Sequence, residues 1–109
     1  MARSEHSIRM DFEKAKAAAG RLDDIADSIT GIMSGEYDDS IESVRQNWRG
    51  DSATLFLTKG NELRDKISKT VSDLKAAADV IRRIAQNTYD SEMRALEIAR
   101  QREYENSGN

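Results

Sequence analysis

The side chains in this sequence that could do chemistry are few, and their spacing argues against an active site. His6 is the one histidine and cysteine is absent, so neither a disulfide nor a thiolate metal site can form. A metal needs several ligands at once, and His6 has no companion ligand near it. Hydrolysis needs a nucleophile held against a base, and no local spacing sets a serine against His6. The acidic set Glu36, Asp38, Asp39 and Glu42 lacks the interleaved spacing and glycine of a calcium loop, and reads as a solvated face. Gly31 and Gly35 match the small-residue pattern of membrane helix pairs, but their flanks are polar. They point to close packing in water or to a bend. The expectation is no enzyme, with no catalytic residue, metal or cofactor.

What remains is chemistry of recognition: the single tryptophan, Trp48, in the run Trp48-Arg49-Gly50, and Tyr89 with acids beside it. The elements that must position these residues are helices. Apolar residues fall at Ile8, Phe12, Ala15, Ala19, Leu22, Ala26, Ile29 and Met33, alternating steps of three and four, which is a heptad seam. The seam continues through Tyr37, Ile41, Val44 and Trp48, with an extra step of four near Tyr37 that resembles a stutter. Asp11 or Ser7 is the expected cap of this first helix. Gly50 has the freedom to end it in a left-handed conformation, after which Asp51 or Ser52 caps the next. The second seam runs through Ala53, Phe56, Gly60, Leu63, Ile67, Val71, Leu74, Ala78, Ile81, Ala85 and Tyr89, then thins to Met93, Leu96 and Ala99. Opposite charges four apart, such as Glu62 with Lys66 and Asp79 with Arg83, suit its outer face. The expected organisation is one domain over residues 1–109: helix 1 over about 11–47, a turn at 48–50, helix 2 over about 52–104 and a polar tail at 105–109.

Composition agrees with this. There is no proline in 109 residues, as long unbroken helices require. With 38% apolar and 34% charged residues, the chain has enough for a stripe on each helix and little for a wide core. An antiparallel helix-turn-helix hairpin of this kind covers one side of each stripe, so the fold class expected is all-α, dimerising into a four-helix bundle. The formal net charge of −3 argues against nucleic acid as a partner. No stretch approaches the ~20 apolar residues of a membrane span. The opening Met1-Ala2-Arg3-Ser4-Glu5-His6 lacks the apolar centre of a secretory signal peptide. By ordinary export rules the chain reads as cytoplasmic.

Trp48-Arg49-Gly50, placed between two heptad helices near the middle of a chain of about one hundred residues, resembles the turn of the early-secreted-antigen-like WXG family of type VII secretion proteins. The resemblance covers most of the chain. It implies a small secreted effector of the virulence-associated kind, made in the cytoplasm and exported folded and paired without a cleaved signal. It implies as partners a second copy or a paralogous WXG-type protein, and the membrane ATPase of the secretion system. The family tends to carry Tyr-x-x-x-Asp/Glu late in the second helix as part of an export signal. Tyr89 lies 41 residues after Trp48, but the residue four beyond it is Met93. Glu92, three beyond, lies near the same helix face, so Tyr89 with Glu92 imitates the motif. The site residues implied are therefore Trp48, Gly50, Tyr89 and Glu92. The same residues also fit plainer roles, Trp48 as a plug at the end of the bundle and Tyr89 as a seam residue. Two other functions fit the pattern: a cytosolic targeting partner, or chaperone, for a larger type VII-secreted toxin, and a coiled-coil adaptor unrelated to secretion.

Overall fold

A computed structural model describes residues 3–107; Met1, Ala2, Gly108 and Asn109 lie outside the described residues. The order is helix α1 (Glu5–Ile32), a π-helical turn (Met33–Tyr37), helix α2 (Asp38–Asn47), a turn at 48–50, and helix α3 (Asp51–Ser107). The fold is all-helical and of the hairpin kind, with no strand among the described residues.

The first helix begins at Glu5, ahead of both Ser7 and Asp11, because Ser4 caps it. The Ser7 amide donates to Ser4 Oγ at 3.1 Å, which satisfies one of the orphan donors of a helix start, and the Ile8 amide donates to the Ser4 carbonyl at 3.0 Å as the first helical bond. At the other end, 105–107 continue α3, with Ser107 Oγ donating to the Glu103 carbonyl at 2.7 Å; the last two residues of the expected polar tail are not described.

The extra seam step near Tyr37 has a structural counterpart. Met33–Tyr37 is π-helical, a local widening that takes up one additional residue and marks functional or strained places in helices. Gly35 lies in it. A Cβ at Gly31, within α1, or at Gly35 would meet nothing within 4 Å, so the pair does not serve a close helix contact. Close approach occurs instead at Gly60, where a Cβ would lie 2.8 Å from Ile41 Cδ1.

Contacts group the chain into two compact units. The end unit joins Met1–Arg21 with Ala77–Asn109. Its antiparallel pairing is shown by Glu5 with Arg100 at 3.1 Å and by the rings of Phe12 and Tyr89 at 4.7 Å. Its buried apolar residues are Ile8, Ala19, Ala78 and Ala85. The turn unit, Leu22–Ala76, is tied by Lys75 to Asp27 at 2.8 Å, Arg64 to Asp38 at 2.9 Å and Tyr37 to the Gly60 carbonyl at 2.5 Å. Ala26 and Ala53 are buried there. The buried set follows the two seams, and most of it is alanine. Alanine lets helices approach closely but removes little apolar area from water compared with a leucine or phenylalanine.

Several large apolar side chains outside this set are exposed, while others on the seams, such as Phe12, Leu22 and Leu74, are half-buried. In the turn unit Ile25, Ile32, Phe56 and Leu63 are exposed; in the end unit Ile84 and Ile98 are exposed. Ile25 and Ile32 are one heptad apart, as are Phe56 and Leu63, while Ile84 and Ile98 are two heptads apart. Ile25, Ile32, Ile84 and Ile98 stand off the two seams as additional apolar positions, whereas Phe56 and Leu63 are seam positions that the single chain leaves exposed. On the charged faces Glu62 pairs with Lys59 at 3.4 Å in place of Lys66, Asp79 pairs with Arg82 at 3.2 Å in place of Arg83, and Lys69 bonds Asp73 at 3.1 Å. Exposed pairs at three and four residues are nearly equivalent in energy, so several choices serve.

Candidate functional site

The turn is built by two residues with different backbone demands. The Trp48 amide donates to the Val44 carbonyl at 2.9 Å, the last helical bond of α2. The Trp48 backbone then opens to φ −132°, ψ 132°, so the helix stops at an extended residue and not at a left-handed glycine. Gly50 has φ +109° and belongs to the start of α3: its carbonyl accepts the Thr54 amide at 3.0 Å and Thr54 Oγ1 at 3.2 Å. Asp51 is thus a first-turn acid, favourable at the positive end of the helix, and not the cap. A Cβ at Gly50 would meet nothing within 4 Å. Glycine is required there by the backbone angle alone.

Trp48 is neither a buried plug nor free. Its ring sits 5.8 Å from that of Phe56, tilted by 53°, while 45% of the residue remains exposed. Arg49 beside it is exposed. An indole N–H donor, a guanidinium and an apolar ring surface are therefore presented together at the turn.

Tyr89 and Glu92 are one helical turn apart on α3, and both line a groove of about 300 Å³ in the end unit, with Ile8, Phe12, Ile81 and Ala85 among its walls. The tyrosine ring stacks on Phe12 with a 39° tilt, and Lys16 Nζ lies 4.6 Å above the Phe12 ring. Glu92 accepts two hydrogen bonds from Arg3 Nη1, at 3.1 and 3.2 Å. Arg3 also bonds Asp11 and donates to the Ser7 carbonyl at 3.4 Å. Asp11, ahead of these contacts, holds the Arg3 guanidinium in its charged form, with Glu92 adding to it. Next to this cluster Glu5 bridges Arg9 at 2.9 Å and Arg100 at 3.1 Å. Those two cations, Arg9 foremost, hold its carboxyl below the usual glutamate range.

The four residues singled out in the sequence thus fall into two pairs. Trp48 and Gly50 share the turn; Tyr89 and Glu92 share the groove of the end unit. Sequence reasoning missed Arg3, the residue that occupies Glu92, because the two are 89 positions apart and no local pattern links them. The acidic set around Asp38 holds hairpin and surface pairs, Asp38 with Arg64 and Glu42 with Arg45. Among the described residues no group of three or more His, Asp or Glu is placed to hold a metal ion, and no helix is long and apolar enough to cross a membrane.

No curated protein and no solved structure matches the chain. The family described as proteins of 100 residues with WXG matches residues 7–92, a span that contains the whole turn as well as Tyr89 and Glu92. With that match over most of its length, the chain belongs to the WXG100 family, a group of small helical proteins linked to type VII secretion.

Proposed function

We propose that this protein is a small substrate of a type VII secretion system, exported as a folded homodimer and acting outside the cell through protein–protein contact. The observation that carries this reading is the Trp48-Arg49-Gly50 turn standing half exposed between the hairpin helices inside a family match that spans it. The export signal is composite: Trp48 and Gly50 from one protomer, Tyr89 and Glu92 from its partner, with the end of α3 available to the membrane ATPase.

Pairing is supported by what the single chain leaves in water. The exposed heptad residues Ile25, Ile32, Phe56, Leu63, Ile84 and Ile98 supply the apolar contact, and two hairpins bury them as a four-helix bundle. Export is tested by following the protein in culture supernatant with and without a functional secretion ATPase; equal amounts in both would reject the reading.

A second reading has one observation in its favour. The position four residues after Tyr89 is Met93 and not an acid, which fits a chain whose partner brings the complete signal. In that case the chain is a cytosolic targeting partner for a larger secreted protein. Co-expression separates the two, since a homodimeric substrate forms its complex alone and a targeting partner remains incomplete until the second protein is present.

A further inference from the structure

The groove that holds Tyr89 and Glu92 is already occupied at its mouth by a residue of the same chain. Arg3 Nη1 serves both oxygens of Glu92, at 3.1 and 3.2 Å, while Nη2 serves Asp11 and the Ser7 carbonyl. One guanidinium therefore faces two carboxylates, and the mouth keeps an excess of negative charge. Below it the walls are apolar: Ile8, Phe12, Ile81 and Ala85. An apolar groove with an acidic mouth is complementary to an apolar side chain carried next to a cation. The turn of the same chain exposes that combination. Trp48 is 45% exposed, and Arg49 makes no hydrogen bond or ion pair with another described residue.

We propose that Arg3 is a built-in competitor for this groove, and that in the dimer Arg49 of a second copy takes Glu92 from it while Trp48 of that copy packs against the apolar walls. The proposal rests on the homodimer reading above and adds the regulation of its signal. Displacement is mechanically simple. Arg3 precedes the first residue of α1, so releasing Glu92 unwinds no helix. Because Nη2 remains on Asp11 and Ser7, only the Nη1 bonds are exchanged. Exposed ion pairs of this kind are weak, so Arg3 sets a threshold for pairing and does not lock the monomer.

Sedimentation equilibrium of the full chain tests this, with circular dichroism to verify that each variant keeps its helix content. Arg3→Gln is expected to tighten the dimer by about two- to fivefold. Arg49→Gln is expected to loosen it, and adding Arg3→Gln in that background is expected to give no tightening. Exchanging the charges, Glu92→Arg with Arg49→Glu, is expected to recover much of the affinity that either change loses alone. A parent dimer whose constant is unchanged or weakened by Arg3→Gln overturns the competitor role and leaves the homodimer reading standing. A parent chain that is monomeric throughout the micromolar range rejects the homodimer reading and this proposal with it.

Discussion

The phenolic hydroxyl of Tyr37 donates a 2.5 Å hydrogen bond to the backbone carbonyl of Gly60, joining the π-helical turn to the middle of α3 within the turn unit. The two residues need each other for separate reasons. The extra residue of the π turn brings Tyr37 to α3, and the missing side chain at position 60 leaves room for Ile41, whose Cδ1 would lie 2.8 Å from a Cβ there. Tyr37→Phe is expected to cost about 0.5–1.5 kcal/mol, the net worth of one such hydrogen bond. Gly60→Ala is expected to stay within about 1 kcal/mol of the parent, because the tip of Ile41 moves readily and alanine gains helix propensity. Gly60→Val is expected to cost about 1–3 kcal/mol from overpacking. Urea unfolding followed by circular dichroism reads all three.

Glycines in this chain separate by backbone angle. Gly50 has φ +109°, where an L side chain is strained although the space is open, so Gly50→Ala is expected to lower stability by about 1–2 kcal/mol. Gly20 lies within α1 with nothing within 4 Å of a Cβ, and Gly20→Ala is expected to raise stability by about 0.5–1 kcal/mol. Opposite shifts in melting temperature check the pair; shifts of the same sign would contradict the assignment of Gly50 to a position that only glycine fits.

Acid should loosen the end unit through Glu5. Arg9 first, then Arg100, holds this carboxyl below its ordinary value of 4.5. Its folded pKa is lower than its unfolded one, so its contribution is complete above the ordinary value and is lost as pH falls through the folded value. The group is partly open to solvent, which screens its ion pairs, so the effect is small. Melting curves taken from pH 6 downward are expected to show an acid-side decline that Glu5→Gln makes shallower; an identical decline in the variant would contradict this.

Much of the fold is legible in the spacing of apolar residues, since every buried residue, from Ile8 and Ala19 to Ala78 and Ala85, falls on the alternating steps of three and four, although the seam positions Phe56 and Leu63 stay exposed in the single chain. The stutter near Tyr37 was readable too, as an extra residue, although its form as a π turn was not. Less visible were features set by single hydrogen bonds. The start of α1 depends on the Ser4 hydroxyl, and the boundary at the turn depends on an extended Trp48 with Gly50 opening the next helix. Of the candidate site, the residue types stood out in sequence, but the state of Glu92 did not. Its partner Arg3 is 89 positions away, and only folding brings them together.

In the proposed function the turn is read for export and does not only hold the hairpin. Trp48→Phe separates those roles: it keeps an aromatic to pack beside Phe56 and removes the indole N–H, whereas Trp48→Ala would remove packing and recognition together. The deciding measurement is the secreted fraction of Trp48→Phe in a strain with a working type VII ATPase, beside the melting temperature of the purified variant. A melting temperature within a few degrees of the parent and a marked loss from the supernatant are expected, with Tyr89→Phe combined with Glu92→Gln behaving the same way. Secretion at the parental level by both variants, with folding intact, would contradict that reading.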